Sequence, residues 1–468
     1  MRKLIAAIDF GTSKTVCLVG EKDEDGIKII SYKQISSKGI KRGEIINIQY
    51  VLDTIVPAIK GVENSMGLKI NEAFVGISGR NIKCLPASNR TTRNNPEELI
   101  SQDEVNSLTS DMFNTPIQNG ERILHVIPQS FNIDDYMGIT EPIGMIGKEI
   151  SANYNLLIGK NNSAQSLKNV MQRTGIKLHD LILAPIASAY SALTIEEKEI
   201  GAALVDIGAG TTELTIITDN IIRYSSVIPF GGNSVTDDIC RGCGISLKQA
   251  EEMKKDFGSC MSSLPSNNQT IKLNGGTGSE DKEIAGKFLS KIIEARMMEI
   301  FEAVDYEIER SNYKSKLNAG IVITGGTSKM LHITKLASMI TGLKAKLSTP
   351  SFSVTADSVE DIQTPEASTA VGLILYGFDN INTDKLVAPF VGELQNTDLF
   401  TKEESDSTIE EQQEKEKEKE KEKEKEKEEK ERQEKEQQEK TAKKNKFSFK
   451  KILSSFNNDN IFKQDNQA

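Results

Sequence analysis

Two stretches with the same plan constrain this chain more than any other feature. IAAIDFGTSKTVCLVG runs from Ile5 to Gly20, and ALVDIGAGTTELTII runs from Ala203 to Ile217. In each, an apolar strand delivers an aspartate, Asp9 or Asp206, to its end. Small residues then turn the chain and a second apolar strand leads away, so each reads as a β-hairpin. Gly11 permits a tight backbone turn, Thr12 and Ser13 offer N–H and O–H donors, and Lys14 adds a cation. The later copy has Gly208, Gly210, Thr211 and Thr212 in the same places. Hairpin tips made of small residues expose backbone N–H groups that wrap phosphate oxygens. A carboxylate sits near phosphate only with a cation between them, so Asp9 and Asp206 predict Mg²⁺ held through water. Two such hairpins facing each other would clamp a nucleotide's phosphates from both sides. The plainer alternative is a pair of unrelated glycine-rich turns.

A third turn, IVITGGTSKM from Ile321 to Met330, follows a strand and precedes helical sequence. Gly325 and Gly326 would let a flat base approach the backbone closely. Between the second and third turns lies QAEEMKKDFG, where Glu251 and Lys254 are spaced i,i+3 on one helix face. They would grip ribose hydroxyls, or else form an ordinary surface ion pair.

The 468 residues suffice for two or three domains. A net charge of −10 argues against general nucleic-acid binding. Five scattered cysteines, an odd number, suit a reducing compartment better than a disulfide framework. Cys240 and Cys243 form a C-x-x-C without a second pair at ligand spacing, so they read as ordinary thiols. His125, His179 and His332 lie far apart and read as structural. The basic, then apolar N-terminus is interrupted by Asp9 too early for a signal peptide, and no apolar run is long enough to span a membrane.

Residues 1 to about 390 alternate strand-like runs (LIAAIDF, AALVDIG, LTIIT, AGIVITGG) with helical periodicity, an α/β pattern. The clearest helix is 284–311, with Phe288, Leu289, Ile292, Ile293, Ile300, Phe301, Val304 and Ile308 on one stripe. The composition then changes. Residues 393–445 are polar and charged, and 414–440 are nearly pure Glu, Lys and Gln, with nothing to bury in a core. Strict Glu/Lys alternation sets like charges at i,i+4, which weakens a helix. The expectation is a disordered, partly helical tether, whose roughly 50 residues would span about 40 Å as a coil or about 75 Å as a helix. After it, Phe449, Ile452, Leu453 and Phe456 fall at i, i+3, i+4 and i+7, flanked by Lys446, Lys450 and Lys451. An apolar face with a basic rim fits an anionic membrane surface. It would equally fit a docking helix or a frayed tail.

The order of the Asp9 turn, the Asp206 turn, the AEEMK helix and the TGG turn resembles the actin/heat-shock-chaperone ATPase superfamily. RILHVIPQSFNIDD with EPIGMIGKEI, the stretch LILAPIASAYSALTIEEKEIGAALVDIGAGTTELTI, YSSVIPFGGNSVTDDIC and EASTAVGLILYG resemble one branch, the FtsA family of bacterial cell-division proteins, nearly continuously to about residue 380. The resemblance implies an actin-like two-lobed ATPase fold with ATP and Mg²⁺ in the cleft. It implies subdomain 1A at 1–80, 164–204 and 361–392, an inserted subdomain 1C at 81–163, subdomain 2A at 205–235 and 318–360, and subdomain 2B at 236–317. The basic segment, 446–462, would be a membrane-targeting amphipathic helix. Asp9 and Asp206 would organise Mg²⁺. Gly11, Thr12, Ser13, Lys14, Gly208, Gly210, Thr211 and Thr212 would hold phosphates, and Glu251, Lys254, Gly325 and Gly326 ribose and adenine. Subdomain 2B would bind the C-terminal tail of tubulin-like FtsZ, with Arg296 pairing to its acids. Subdomain 1C would receive other division proteins, and copies of the chain would join head to tail at the inner face of the plasma membrane.

Three departures from the family pattern stand out. Ala209 replaces a glycine of the second turn, Ala295 replaces a proline before Arg296, and the Glu/Lys tether is unusually long. Active members of the superfamily place Gln or Glu at the start of the connecting helix to orient water. Here that position is Ala184, which can neither accept a proton nor align water. No catalytic residue is therefore assigned, and slow hydrolysis is expected. The competing classes are an actin-like adaptor of pilus assembly and a sugar-kinase-like enzyme of the same fold.

Overall fold

The computed structural model describes residues 3–24, 26–264, 269–273, 282–350, 354–356, 362–380 and 400–402. The chain divides into two units, Met1–Lys402 and Glu403–Ala468. The Glu/Lys tract and the residues expected to form a membrane-targeting helix, Lys446 to Phe456 among them, lie outside the described residues.

The first unit is built on two sheets of the same design. In the first lobe, Lys3–Phe10, Lys14–Lys22 and Ile27–Ser36 form an antiparallel meander. Glu72–Ile77 and then Lys177–Leu183 add in parallel beside Lys3–Phe10. In the second lobe, Ala202–Ile207, Thr212–Thr218 and Ile221–Ile228 form the meander. Gly320–Thr324 and Ala345–Leu347 add in parallel beside Ala202–Ile207. The first sheet carries one more edge strand, Val354–Ala356. The central strands are buried on both faces, which is why they read as unbroken apolar runs: Ile5, Ala6, Ala7 and Ile8 are fully buried, as are Ala203 and Val205.

Helices cover these sheets. Ile48–Met66 starts where the Asn47 side chain accepts the Tyr50 N–H, and stops at Gly67 in the left-handed conformation. The long helix Gly286–Arg310 buries Leu289, Ile293, Met297, Ile300, Phe301, Val304 and Ile308. It begins two residues later than the periodicity predicts, because Lys282–Ala285 is a strand paired with Thr270–Leu273. Phe288, expected on the buried stripe, is 47% exposed, and Met297 completes the face instead. The lobes are joined by two short helices, Ala184–Ala192 and Ser368–Asn380. They cross so closely that a Cβ on Gly372 would lie 1.8 Å from Ala187 O. Ser191 Oγ donates to Ser368 O at the same crossing.

A four-stranded antiparallel sheet, Lys83–Thr92, Glu121–Ile133, Tyr136–Ile139 and Glu149–Lys160, is inserted in the first lobe with the helix Gln102–Asp111. It has a core of its own, centred on Val126, Ile133, Ile150 and Tyr154. Gln129 Nε2 donates to Ile222 O, and Asn155 Nδ2 donates to Arg223 O, tying the sheet to the second lobe's edge strand. Within the stretch expected as tether, Phe400–Lys402 pairs antiparallel with Leu68–Ile70.

The cysteines are free thiols. The three histidines are structural: His125 Nε2 accepts the Leu183 N–H, while His179 and His332 bond to Glu72 and Ser259. Among the described residues, no helix is long and apolar enough to cross a membrane.

Candidate functional site

The duplicated sheets bring their hairpin tips to one place, and the tips line a cavity of about 710 Å³. Asp9, Gly11, Thr12, Ser13 and Lys14 line it from the first lobe, and Asp206, Gly208, Gly210 and Thr211 from the second. Glu251, Lys254, Gly325 and Gly326 line it as well, as does Ala184. Thr212 does not. It is fully buried and its hydroxyl donates to Phe230 O, because strand alternation turns it away from the face that carries Thr211 and Glu213. Arg296 lies outside the cavity lining. Its guanidinium already makes a two-point bond to Asp238 and a further bond to Glu299.

The tips touch. Thr12 Oγ1 accepts the Gly43 N–H at 3.0 Å, and a Cβ on Gly210 would lie 2.4 Å from Thr12 Oγ1 and 2.9 Å from Arg42 Cα. The first turn is braced from behind by Ser37, whose hydroxyl donates to Gly11 O. In the second turn the carbonyls of Gly208 and Ala209 accept the amides of Gly232 and Asn233, at the start of the helix Gly232–Cys243. Ala209 is not among the residues with positive φ, so its methyl group meets no backbone strain. Gly325 has a φ of 86°, and the space its Cβ would need is taken by Asp206 Oδ1 and Ile207 O. This glycine is therefore required by the approach of the third turn to the second, whatever ligand lies beside it.

Lys254, on the helix Leu247–Phe257, is 8% exposed. Its ammonium bonds Gly232 O at 3.1 Å, Thr236 Oγ1 at 2.9 Å and Glu251 Oε2 at 2.6 Å. The pair is thus a held, inward-facing group, unlike a loose surface ion pair. Burial lowers the Lys254 pKa against the pull of Glu251. Burial works to raise Glu251, but Lys254 and the Thr236 hydroxyl outweigh it and hold the carboxyl below its usual range.

Three carboxylates share the floor of the cavity. Burial pushes Asp9 up to about 6, opposed by Lys14 and aided by Asp206. Burial also raises Asp206, against hydrogen bonds from Ser188 and Thr369. Glu213 is pushed up to about 8 by burial and by the neighbouring charges of Asp206 and Asp9. Its Oε1 accepts the Ser78 hydroxyl from the opposite lobe. Glu213 was missed in the sequence, yet counting back along the hairpin finds it. The register pairs Ile207 with Thr212 and hence Asp206 with Glu213. The same register in the first hairpin sets Val16 opposite Asp9, so the duplication is not symmetric in charge.

Glu366 and Lys329 were also missed. Lys14 Nζ donates to Glu366 O at 2.6 Å, and the Glu366 carboxylate pairs with Lys329. Glu366 lies inside EASTAVGLILYG, a run whose apolar pattern gave no cue to a site residue. Among the described residues no group of three metal-type side chains stands at direct ligand spacing. The donor set nevertheless fits a divalent cation held through water. Two buried aspartates and a glutamate, driven toward the neutral form first by burial and, for Asp9 and Glu213, by neighbouring carboxylates as well, would be relieved by a cation.

Two family models match the chain: "Cell division protein FtsA" over residues 203–372 and "SHS2 domain inserted in FTSA" over residues 79–158. The chain is 35% identical over 376 residues to the cell division protein FtsA of Pseudomonas aeruginosa, covering 80% of this chain and 89% of that protein. It is 30% identical over 390 residues to FtsA of Escherichia coli K12, covering 80% and 90%. Among solved structures, a chain of a PilM–PilN type IV pilus biogenesis complex aligns with a TM-score of 0.57 at 14% identity, over 80% of this chain and 98% of that one. That likeness concerns the fold, which is the two-lobed actin-like α/β architecture with an FtsA-type insertion.

Proposed function

Because the chain belongs to the FtsA family of cell-division proteins, we propose that it binds ATP with Mg²⁺ in the cleft and, as an actin-like polymer, ties FtsZ to the inner face of the plasma membrane. The observation that carries the nucleotide reading is the convergence of both hairpin tips, the Glu251–Lys254 pair and the third glycine turn on one cavity. Phosphates would lie against the N–H groups of Gly11 to Lys14 and Gly208 to Thr211, with Lys14 supplying positive charge. Bound Mg²⁺ would neutralise the charge between those phosphates and Asp9 and Asp206. Glu251 and Lys254 would meet the ribose, and Gly325 with Gly326 the base.

Hydrolysis would be slow. Ala184 opens the connecting helix on the cavity wall and has no group to orient water. ATP would therefore act mainly by holding the lobes together. Closed copies would join head to tail, with partners received on the inserted domain and the FtsZ tail on 236–317. Each copy would contribute one weak basic helix, 446–462, on its charged leash. A polymer multiplies such contacts through effective concentration.

The test is flotation with anionic liposomes, ATP and FtsZ, comparing the full chain with one stopped after Lys440. The full chain is expected to float and carry FtsZ with it, while the shortened chain stays behind. If both remain in solution, the membrane role is wrong.

A further inference from the structure

Phe230 ends the segment IPF that leaves the strand Ile221–Ile228, directly before the helix that braces the second turn. Phe230 is 39% exposed, and two guanidiniums lie close to its ring. Arg296 Cζ, from the long helix of the same lobe, lies 5.8 Å from the ring centroid. Arg42 Cζ, from the opposite lobe, lies 5.9 Å from it. Both distances fall within the range of attraction between a cation and an aromatic face.

Arg42 is an odd residue for its place. It joins the short strands Ile40–Lys41 and Glu44–Ile45 with φ at 50°, followed by Gly43 at 73°. Two consecutive left-handed residues in a two-residue hairpin favour Asn-Gly or Asp-Gly. Arginine strains that backbone position, so its presence asks for a gain made by the side chain. The same turn touches the cleft: Gly43 N–H donates to Thr12 Oγ1, and Gly210 packs on Arg42 Cα. The contact of the two hairpin tips and the contact of Arg42 with Phe230 therefore cross the same boundary between the lobes.

We propose that Arg42, Phe230 and Arg296 form a clasp between the lobes that links closure of the cleft to the outer face of the helix Gly286–Arg310. The inference rests on the nucleotide reading above. A ligand gripping both tips favours the state in which Arg42 meets the ring, because it binds that state better. By reciprocity, the clasp tightens the ligand by the same factor. Arg296 shares the ring and holds Asp238 and Glu299, so a change at Phe230 reaches the surface through it.

The chain has no tryptophan, so Phe230→Trp places a single fluorescent reporter in the clasp. Arg42→Asn suits the turn and removes the guanidinium, so it is expected to melt no earlier than the parent. Binding of AMPPNP with Mg²⁺ is measured by calorimetry, and the indole's exposure by acrylamide quenching. The expected results are an indole that becomes less accessible on adding AMPPNP, loss of that change in Phe230→Trp/Arg42→Asn, and affinity about two- to fivefold weaker in Arg42→Asn. If AMPPNP binds but the indole does not respond, the clasp is wrong and the nucleotide reading stands. If AMPPNP fails to bind the parent chain, both fall. Should Phe230→Trp not fold, Arg42→Asn alone decides: affinity equal to the parent's overturns the clasp.

Discussion

Gly210→Ala places one methyl group at the point where the two hairpin tips meet. An ideal Cβ there lies 2.4 Å from Thr12 Oγ1 and 2.9 Å from both Thr12 Cγ2 and Arg42 Cα. Ordinary contacts need about 1 Å more. Thr12 Oγ1 is held by the Gly43 amide, and Arg42 Cα is backbone, so neither swings aside freely. Gly210 does not have a positive φ, so alanine fits the local backbone and the lobe should fold normally. The strain therefore falls on the approach of the lobes. Overpacking of this kind costs about 1–3 kcal/mol. Borne only by the closed state, it weakens nucleotide binding by roughly 5- to 150-fold. Ala209→Gly, next door, removes a methyl group that meets no strain and should change affinity by less than about twofold. Calorimetric titration of both variants with AMPPNP and Mg²⁺, beside thermal melting without ligand, makes the comparison. Steric strain between the tips is refuted if Gly210→Ala binds as tightly as the parent, or if it loses binding only because its melting temperature has collapsed.

Two further outcomes follow from the electrostatics. Glu213 keeps its proton to about 8 in the folded chain, against an ordinary value of 4.5. The folded state thus holds a proton that the unfolded state releases across this window, so ligand-free stability falls as pH rises from about 4.5 to about 8. Glu213→Gln removes that contribution, and its melting temperature should fall less steeply over the same range; parallel slopes would show that Glu213 is not perturbed. At the surface, Asp238→Asn frees the Arg296 guanidinium from its two-point bond. If Arg296 meets an acidic FtsZ tail, this variant should bind a tail peptide about two- to fivefold more tightly, and Arg296→Glu should bind it much less. Fluorescence anisotropy with the labelled peptide reads both, and an unchanged affinity in Arg296→Glu would discard the partner role.

Most of the cleft could be read from the chain because its hairpins carry local signals. A strand of consecutive apolar residues, an aspartate at its end and a turn of small residues are specified within about a dozen positions, and they recur. Glu213 escaped because its meaning depends on register: only pairing with Asp206 brings it into the same buried space. Glu366 and Lys329 escaped for a stronger reason. Glu366 meets Lys14 from the other end of the folded region, Lys329 joins only through Glu366, and no local pattern links the three. Thr212 shows the opposite error, a residue inside the motif that alternation turns away from the cavity.

The sequence by itself determined the duplicated hairpins, the parallel strands fed by helices, the break into a charged tract and the family. These follow from hydrophobic period and composition, which act along the chain. The tertiary structure decided how close the two tips come, which glycines are required by packing, how far the buried carboxylates resist ionisation and where Arg42 meets Phe230. Those depend on distances between residues far apart in sequence. Coulomb and packing energies vary with such distances over a single ångström, a scale that hydrophobic period and composition leave unspecified.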